Sequence, residues 1–381
     1  MKKIKIAHIV YGLKLAGAEK LIWYITSRPD RSRYESVVAT LSMGGPLQEM
    51  LRASGVPVCF MAKRHRYDVS VLLRLVRFLR REHIDLVHTH LFGGDIWGRT
   101  AAAIAGVPVI VSSLHGVDVW MSGTQRALER WTARCAHRLI AVSEEVKKSY
   151  VSGVGVPAEK ISVVYSGIDC SRFPAAVDRG RTLRDLGVPE RAVLVGIACR
   201  LEPEKDLFTW LKAARIIAAQ VTAAEFVIAG EGSQRQELQE FSRNLGISER
   251  VHFLGLRDDV AEIFSASDLV MFSSRFEGLS LALLEAMASG RAVIATDIGE
   301  NRAVIEHGRS GVLVNPGDAD ALAGAAVRLL KDEKERQRLG EAARLTVKER
   351  FGVERWVGEV LAIYEELLAG KTCPREMGDQ N

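Results

Sequence analysis

Apolar and polar positions alternate in blocks along this 381-residue chain. Short apolar runs recur at Ile4–Val10, Ser36–Leu41, Val56–Met61, Leu86–Thr89, Val107–Ser112 and Arg138–Val142. Stretches of helical spacing separate them, such as Ala18–Thr26, Val71–Arg81 and Thr124–Ala136. Strands alternating with helices predict parallel sheets built from βαβ units. The pattern breaks over Gly167–Val188, which carries Pro174 and several charges but little apolar periodicity. It restarts with Val193–Ala198, Glu225–Ala229, Val251–Phe253, Leu269–Phe272, Ala292–Ala295 and Gly311–Val314. From Ala319 onward the spacing is helical: Asp320–Lys331, Lys334–Arg350 and Val353–Leu368.

The fold class is therefore α/β, with two Rossmann-like domains. The expected boundaries are 1–170, a linker over 171–188, a second domain over 189–350 and a frayed tail over 370–381. The length agrees, at about 100–200 residues per domain.

Composition adds exclusions. With 48% hydrophobic and 26% charged residues, the chain has the make-up of a soluble globular protein. No apolar run approaches the roughly 18–20 residues needed to span a bilayer. The basic start, Met1 to Lys5, lacks a signal-peptide core, so a cytoplasmic location is expected. Cys59, Cys135, Cys170, Cys199 and Cys373 are scattered without CxxC spacing, which predicts reduced thiols and no zinc site. His88-Thr89-His90 lacks further ligands in sequence, so both histidines are expected to line a strand end and no metal is predicted.

Charge is uneven. Residues 1–170 hold 24 Lys and Arg against 14 Asp and Glu, whereas residues 171–381 hold 28 against 33. A basic first half suggests an anionic partner. Lys63, Arg64, Arg66, Arg74, Arg77, Arg80 and Arg81 surround Val71, Leu72, Leu75, Val76 and Leu79. That pattern fits a solvated helix face and equally an anionic membrane surface reached through residues 63–81. No nucleic-acid reader motif accompanies the charge.

Two glycine-rich fragments mislead. Gly12 and Gly17 have P-loop spacing, but Ala18-Glu19 stands where Lys-Ser/Thr is required. Gly153-Val154-Gly155 lies outside a strand-to-helix turn, and Pro157 intrudes, so it is not a dinucleotide fingerprint. The Gly12–Gly17 loop still leaves the first strand at its carboxyl end, where α/β sheets place ligands. Gly17 at a helix start would let N–H groups approach a phosphate; a merely flexible turn fits as well.

The most informative segment runs from Ser273 to Gly290. A strand feeds a polar loop with Glu277, and a helix carrying Glu285 follows, ending at Gly290. Its expected buried stripe is Leu281, Leu284 and Met287–Ala288. Eight residues correspond to about 12 Å of helical rise. Paired carboxyls in glycoside hydrolases lie about 5–9.5 Å apart, so these two do not form one such pair. The helix start between them could take an anion. Taken alone, the pair reads more readily as a helix-start charge at Glu277 and a surface residue at Glu285 than as a binding site.

Several motifs follow one another in a specific order. They are Gly17-Ala18-Glu19, Ser113-Leu114-His115-Gly116-Val117-Asp118, Ala141-Val142-Ser143-Glu144, Arg200-Leu201-Glu202-Pro203-Glu204-Lys205, Gly230-Glu231-Gly232, Phe253-Leu254-Gly255 and Glu277–Glu285. Together they resemble the retaining glycosyltransferase family 4, with its GT-B fold of two Rossmann-like domains facing across a cleft. Glu277 and Glu285 match the family's E-x7-E signature. The chain departs from it at Leu279-Ser280, where many members have Phe-Gly, and at Ala292, a frequent proline.

The resemblance implies a nucleoside-diphosphate sugar donor, no cofactor, no metal, and transfer with retained configuration. Arg200, Lys205 and Gly17 would bind the donor diphosphate. Glu277 would hold sugar hydroxyls and Glu285 the ribose, with Gly278, Leu279, Ser280 and Leu281 near phosphate or sugar. Gly230 and Leu254 would line the nucleotide pocket, and His115 and Glu277 would be catalytic. Domain closure would bring Gly17 and His115 onto the donor. The helix over 353–368 would return to the first domain. A glycan or lipid-linked acceptor, in surface polysaccharide or lipopolysaccharide assembly, would place the enzyme peripherally on the inner face of the membrane. A non-catalytic sugar-nucleotide-binding partner and a GT-B epimerase are the competing functions.

Overall fold

The computed structural model describes residues 3–14, 17–42, 44–65, 68–117, 121–173 and 177–372. Arg66, Asp118, Pro174, Cys373 and most of the tail named above lie outside them. The chain divides into two compact units: residues 1–167 with 353–381, and residues 168–352.

The first unit is built on a seven-stranded sheet. Its strands are β1 (Ile4–Val10), β2 (Tyr34–Thr40), β3 (Val58–Phe60), β4 (Leu86–His90), β5 (Val109–Leu114), β6 (Arg138–Ala141) and β7 (Ile161–Val163). They run in the order β3-β2-β1-β4-β5-β6-β7, and every pairing is parallel. Helices cover both faces, so every residue of β4 and β5 is buried. The strand order reverses between β1 and β4, which is where such sheets open a crevice for ligands.

The second unit repeats this plan with six strands. These are β8 (Val193–Ala198), β9 (Ala224–Ala229), β10 (Val251–Gly255), β11 (Leu269–Phe272), β12 (Val293–Thr296) and β13 (Val312–Val314). Their order is β10-β9-β8-β11-β12-β13, again all parallel. Here the reversal lies between β8 and β11.

Two details differ from the sequence reading. The segment 171–188 is not a bare linker, because Arg179–Asp185 is a helix capped by Asp178, whose Oδ1 accepts from the Arg181 N–H at 3.0 Å. Leu183, Leu186 and Val188 are buried, and Arg179 bonds Asp268 at 2.6 Å. Seven residues are too few for periodicity to reveal a helix. β7 was also missed, since Ser162 interrupts the apolar run of its three residues.

The helix Val353–Thr372 belongs to the first unit. Arg33 pairs with Glu365 at 2.7 Å and Arg138 with Glu366 at 3.0 Å. Buried Tyr364 reaches His88.

Candidate functional site

In the second unit, two loops leave neighbouring strands at the reversal point. Residues 199–206 follow β8, and residues 273–280 follow β11. The Lys205 ammonium bonds Glu277 Oε1, and the Ser274 hydroxyl donates to the same oxygen at 2.7 Å. Both charged side chains are only 11% exposed. Charge-assisted bonds of this kind are stronger than neutral ones.

Further bonds lock the loops together. Ser273 Oγ donates to the Lys205 carbonyl at 2.7 Å, and the Arg275 N–H to the Glu204 carbonyl at 2.8 Å. Arg275 also binds Asp206 Oδ2 at 3.0 Å. Asp206 adopts φ +47°, a left-handed conformation costly for a non-glycine residue. Its carboxylate, held by Arg275 and Thr209, secures that turn. Arg200, by contrast, is 70% exposed and pairs with Glu204. The 199–206 loop thus presents one sequestered cation and one accessible cation.

The helix after the second loop is Leu281–Ala288, capped by Ser280, whose Oγ accepts from the Leu283 N–H at 3.4 Å. Glu277 precedes it; Gly278 and Leu279 are half-buried. The expected buried stripe was too narrow. Leu281 is only half-buried, while Leu283, Leu284, Ala286, Met287 and Ala288 are all buried. The helix is packed from several sides, by Val260–Ala266 and Glu333–Arg350 among others. Glu285 is buried too, which removes the surface-residue reading.

Gly230 and Gly232 have a steric explanation. A Cβ at Gly230 would lie 1.8 Å from the Cys199 carbonyl oxygen, and one at Gly232 would lie 2.3 Å from that of Leu201. These glycines let the turn after β9 press against the 199–206 loop. Gly230 also donates to the Gly255 carbonyl at 2.7 Å. Leu254 sits where the β9–β10 register shifts, half-buried at the sheet edge.

In the first unit, Gly17 opens the helix Gly17–Ser27. Glu19 in its first turn is buried, and burial raises its pKa despite the helix-start N–H groups and Lys14. His115 follows β5, and its ring stacks on His90, with centroids 5.7 Å apart. His90 Nδ1 and His115 Nε2 are 3.4 Å apart.

His115 is one of four clustered histidines. His8 on β1 pairs in register with His88 on β4, and His8 Nδ1 lies 3.2 Å from His90 Nε2. His88 bonds Tyr364 through Nδ1 and Ser113 through Nε2. Burial drives all four toward the neutral form; His8 is pushed down to about 3 and His115 to about 4. Nitrogens of His8, His88 and His90 lie within 4.8 Å of one another, close enough in principle for a metal ion. Five of those six ring nitrogens already have hydrogen-bond partners; only His8 Nε2 has none. The sequence showed His88 and His90 as a pair, but His8 lies about 80 residues away and joins only through the β1–β4 pairing.

The opposite sheet face holds a second buried polar group that the sequence did not reveal. Arg99, fully enclosed, bonds Glu129 at 2.6 Å and Ser112 at 2.7 Å, with Asp95 at 3.6 Å. This network ties the helices Leu91–Ala105 and Gly123–Ala133 to β5.

The basic stretch resolves differently from its pattern. In the helix Ser70–Arg81, Val71, Leu75, Val76, Phe78 and Leu79 are buried in the first unit, so the apolar stripe serves its core. Val69 and Leu73 remain exposed, at 70% and 58%, as do Arg77, Arg80 and Arg81. Among the described residues, no helix is long and apolar enough to cross a membrane.

Comparison with known proteins agrees with this division. The family model described as Glycosyltransferase Family 4 matches residues 15–172, and that of Glycosyl transferases group 1 matches residues 178–346. The N-acetyl-alpha-D-glucosaminyl L-malate synthase of Bacillus anthracis is 30% identical over 79% of this chain and 80% of its own length. The UDP-Gal:alpha-D-GlcNAc-diphosphoundecaprenol alpha-1,3-galactosyltransferase of Escherichia coli is 28% identical over 97% of this chain and 98% of its own. Among solved structures, Anabaena HepE in complex with UDP and glucose superimposes with a TM-score of 0.87 at 24% identity, covering 95% of this chain and all (100%) of that one. With two parallel Rossmann-like sheets and both family matches in chain order, this protein belongs to glycosyltransferase family 4 and has the GT-B fold.

Proposed function

We propose that this protein transfers a glycosyl group from a nucleoside-diphosphate sugar to an acceptor hydroxyl, with retained anomeric configuration and without a metal ion. One observation carries the reading. Lys205 and Glu277, from loops after β8 and β11, meet at the reversal point of the second sheet. A cation and a carboxylate held there suit the two halves of a donor, an anionic diphosphate and a hydroxyl-rich sugar. Arg200 and Lys205 bind the diphosphate, Glu277 the sugar hydroxyls and Glu285 the ribose. Gly278 to Leu281 supply N–H groups near the phosphates, and Gly230 and Leu254 border the base. On the first unit, Gly17 serves the diphosphate and His115 the reacting sugar.

The protein's task is electrostatic. The leaving diphosphate gains negative charge as its bond to the sugar breaks, and fixed cations stabilise that charge. In front-face transfer, the departing phosphate oxygen takes the proton of the acceptor hydroxyl. Retention then needs no protein nucleophile.

The acceptor in this reading is a lipid-linked glycan, by analogy with the diphosphoundecaprenol-linked sugar in the name of the E. coli relative. The exposed Val69 and Leu73, with exposed Arg77, Arg80 and Arg81 of the same segment, would meet an anionic bilayer, placing the enzyme on the inner membrane face.

A thermal-shift panel of nucleotide sugars, followed by nucleotide-release assays with and without lipid-linked acceptor, tests the proposal. The expected result is one stabilising donor whose nucleotide is released only with acceptor, in the presence of a chelator. Binding without acceptor-dependent release would identify a non-catalytic partner; interconversion of the sugar alone would identify an epimerase.

A further inference from the structure

The four histidines of the first unit contain a directional hydrogen-bond chain. His8 on β1 and His90 on β4 flank the reversal point of the first sheet, and His115 lies just beyond β5. His8 Nδ1 meets His90 Nε2 at 3.2 Å, and His90 Nδ1 meets His115 Nε2 at 3.4 Å. The rings are near parallel, His8 to His90 at 17° and His90 to His115 at 29°. His88, anchored by Ser113 and Tyr364, packs against His90 with centroids 4.1 Å apart and walls the chain on one side.

All three members of the chain are neutral, because burial disfavours the charged ring. A neutral imidazole has one N–H and one lone pair. Each bond in the chain needs one of each. Setting the tautomer of one ring therefore sets all three, and only two arrangements exist. Either the N–H groups point from His8 toward His115, or all point the other way.

The chain ends choose between them. His8 Nε2 and His115 Nδ1 are both enclosed and without a partner. One must carry a hydrogen, and the other a bare lone pair. The His8 side chain is fully buried within the sheet, whereas His115 is a partly buried residue just past β5, at the carboxyl end of the strands where such sheets take ligands. An orphaned buried N–H is rarer than an under-used acceptor. The hydrogen therefore belongs at His115, where a ligand oxygen can receive it.

We infer that His8 and His90 are positioning residues that fix His115 as a neutral Nδ1–H donor to an oxygen of the bound substrate. This rests on the assignment of His115 to the reacting sugar made above. It also gives His115 a definite part. Its free nitrogen donates a hydrogen bond and does not take the acceptor proton, which leaves that proton to the departing phosphate.

Two measurements test the inference. The first is NMR of the free protein with histidine labelled at both ring nitrogens. The expected signature at His115 is protonated Nδ1 with bare Nε2; a protonated Nε2 with bare Nδ1 would overturn the inference. Zinc added at micromolar concentration is expected to leave the His8, His88 and His90 signals in place. Their displacement would make the cluster a metal centre instead.

The second measurement uses a pair of variants. In His90→Asn the amide occupies the place of Nδ1 and still donates to His115. In His90→Gln the amide occupies the place of Nε2 and reaches His8 alone. For His90→Gln, kcat is expected to fall about 100-fold with donor KM unchanged. For His90→Asn, the loss is expected to be at least tenfold smaller. Equal losses would reduce His90 to a packing role. The NMR signature needs no turnover. An Nδ1–H tautomer in a protein that fails every nucleotide-release assay would keep the chain and remove the transferase reading.

Discussion

The two units use one architecture for opposite electrostatics. Each is a parallel sheet whose strand order reverses once, and each gathers polar side chains at that reversal. In the second unit the gathered groups are ions: Lys205 against Glu277, with Arg275 holding Asp206 beneath. In the first they are His8, His88, His90 and His115, kept neutral by burial. The contrast separates two tasks. In the proposed reaction the fixed ions would hold a charged donor, whereas the neutral imidazoles would aim a hydrogen bond without adding charge.

The comparison breaks most sharply at Lys205. Lys205→Ala removes the sequestered cation and leaves Glu277 with Ser274 alone. We expect kcat/KM for transfer to fall by about 10²–10³, as for loss of one transition-state donor. Arg200→Ala, at an exposed position, should cost less, about tenfold. Steady-state kinetics with the donor from the thermal-shift panel measures both. A larger loss at Arg200 than at Lys205 would reverse the assignment of roles.

Acid sharpens the contrast between the units. The unfolded histidines bind protons near the ordinary 6.5, whereas folded His8 and His115 do so only near 3 and 4. Between those limits the unfolded chain holds more protons, so stability is whole above about 6.5 and falls as pH drops. Each buried imidazole contributes a slope of about 1.4 kcal/mol per pH unit in that window. Neither the 199–206 loop nor the 273–280 loop carries a histidine. Hydrogen exchange at pH 5 against pH 7 should therefore show β1 and β4 losing protection before β8 and β11. His8→Asn should flatten that dependence.

The smallest effect lies at the surface. Leu73→Glu places a charge at a side chain already 58% exposed, so stability should change by no more than about 0.5 kcal/mol and the melting temperature should hardly move. Co-sedimentation with anionic vesicles should weaken several-fold. Unchanged sedimentation would confine the helix Ser70–Arg81 to its role in the core of the first unit.

Much of this was legible beforehand. Among the described residues, apolar runs located twelve of the thirteen strands, because strands buried on both faces read as continuous hydrophobic segments. β7 was interrupted by Ser162, and the helix Arg179–Asp185 was too short to carry a period. Glu277, Glu285, Arg200 and Lys205 became candidates through the family resemblance that the motif order carries. That Lys205 and Glu277 touch could not be read, because they are 72 residues apart and meet only when β8 pairs with β11.

The sequence by itself determined the alternation of strands and helices and the two-unit division, while the order of its motifs carried the resemblance that named the donor-site candidates. These follow from local periodicity and side-chain chemistry, which survive in a linear string. Tertiary structure alone decided which groups became partners. It enclosed Glu285 in a helix packed from several sides, moved the apolar stripe of Ser70–Arg81 into the core and brought His8 against His90. The reason is the parallel sheet itself. Its crossovers set residues far apart in the chain side by side, and burial there fixes their charge and hydrogen bonds.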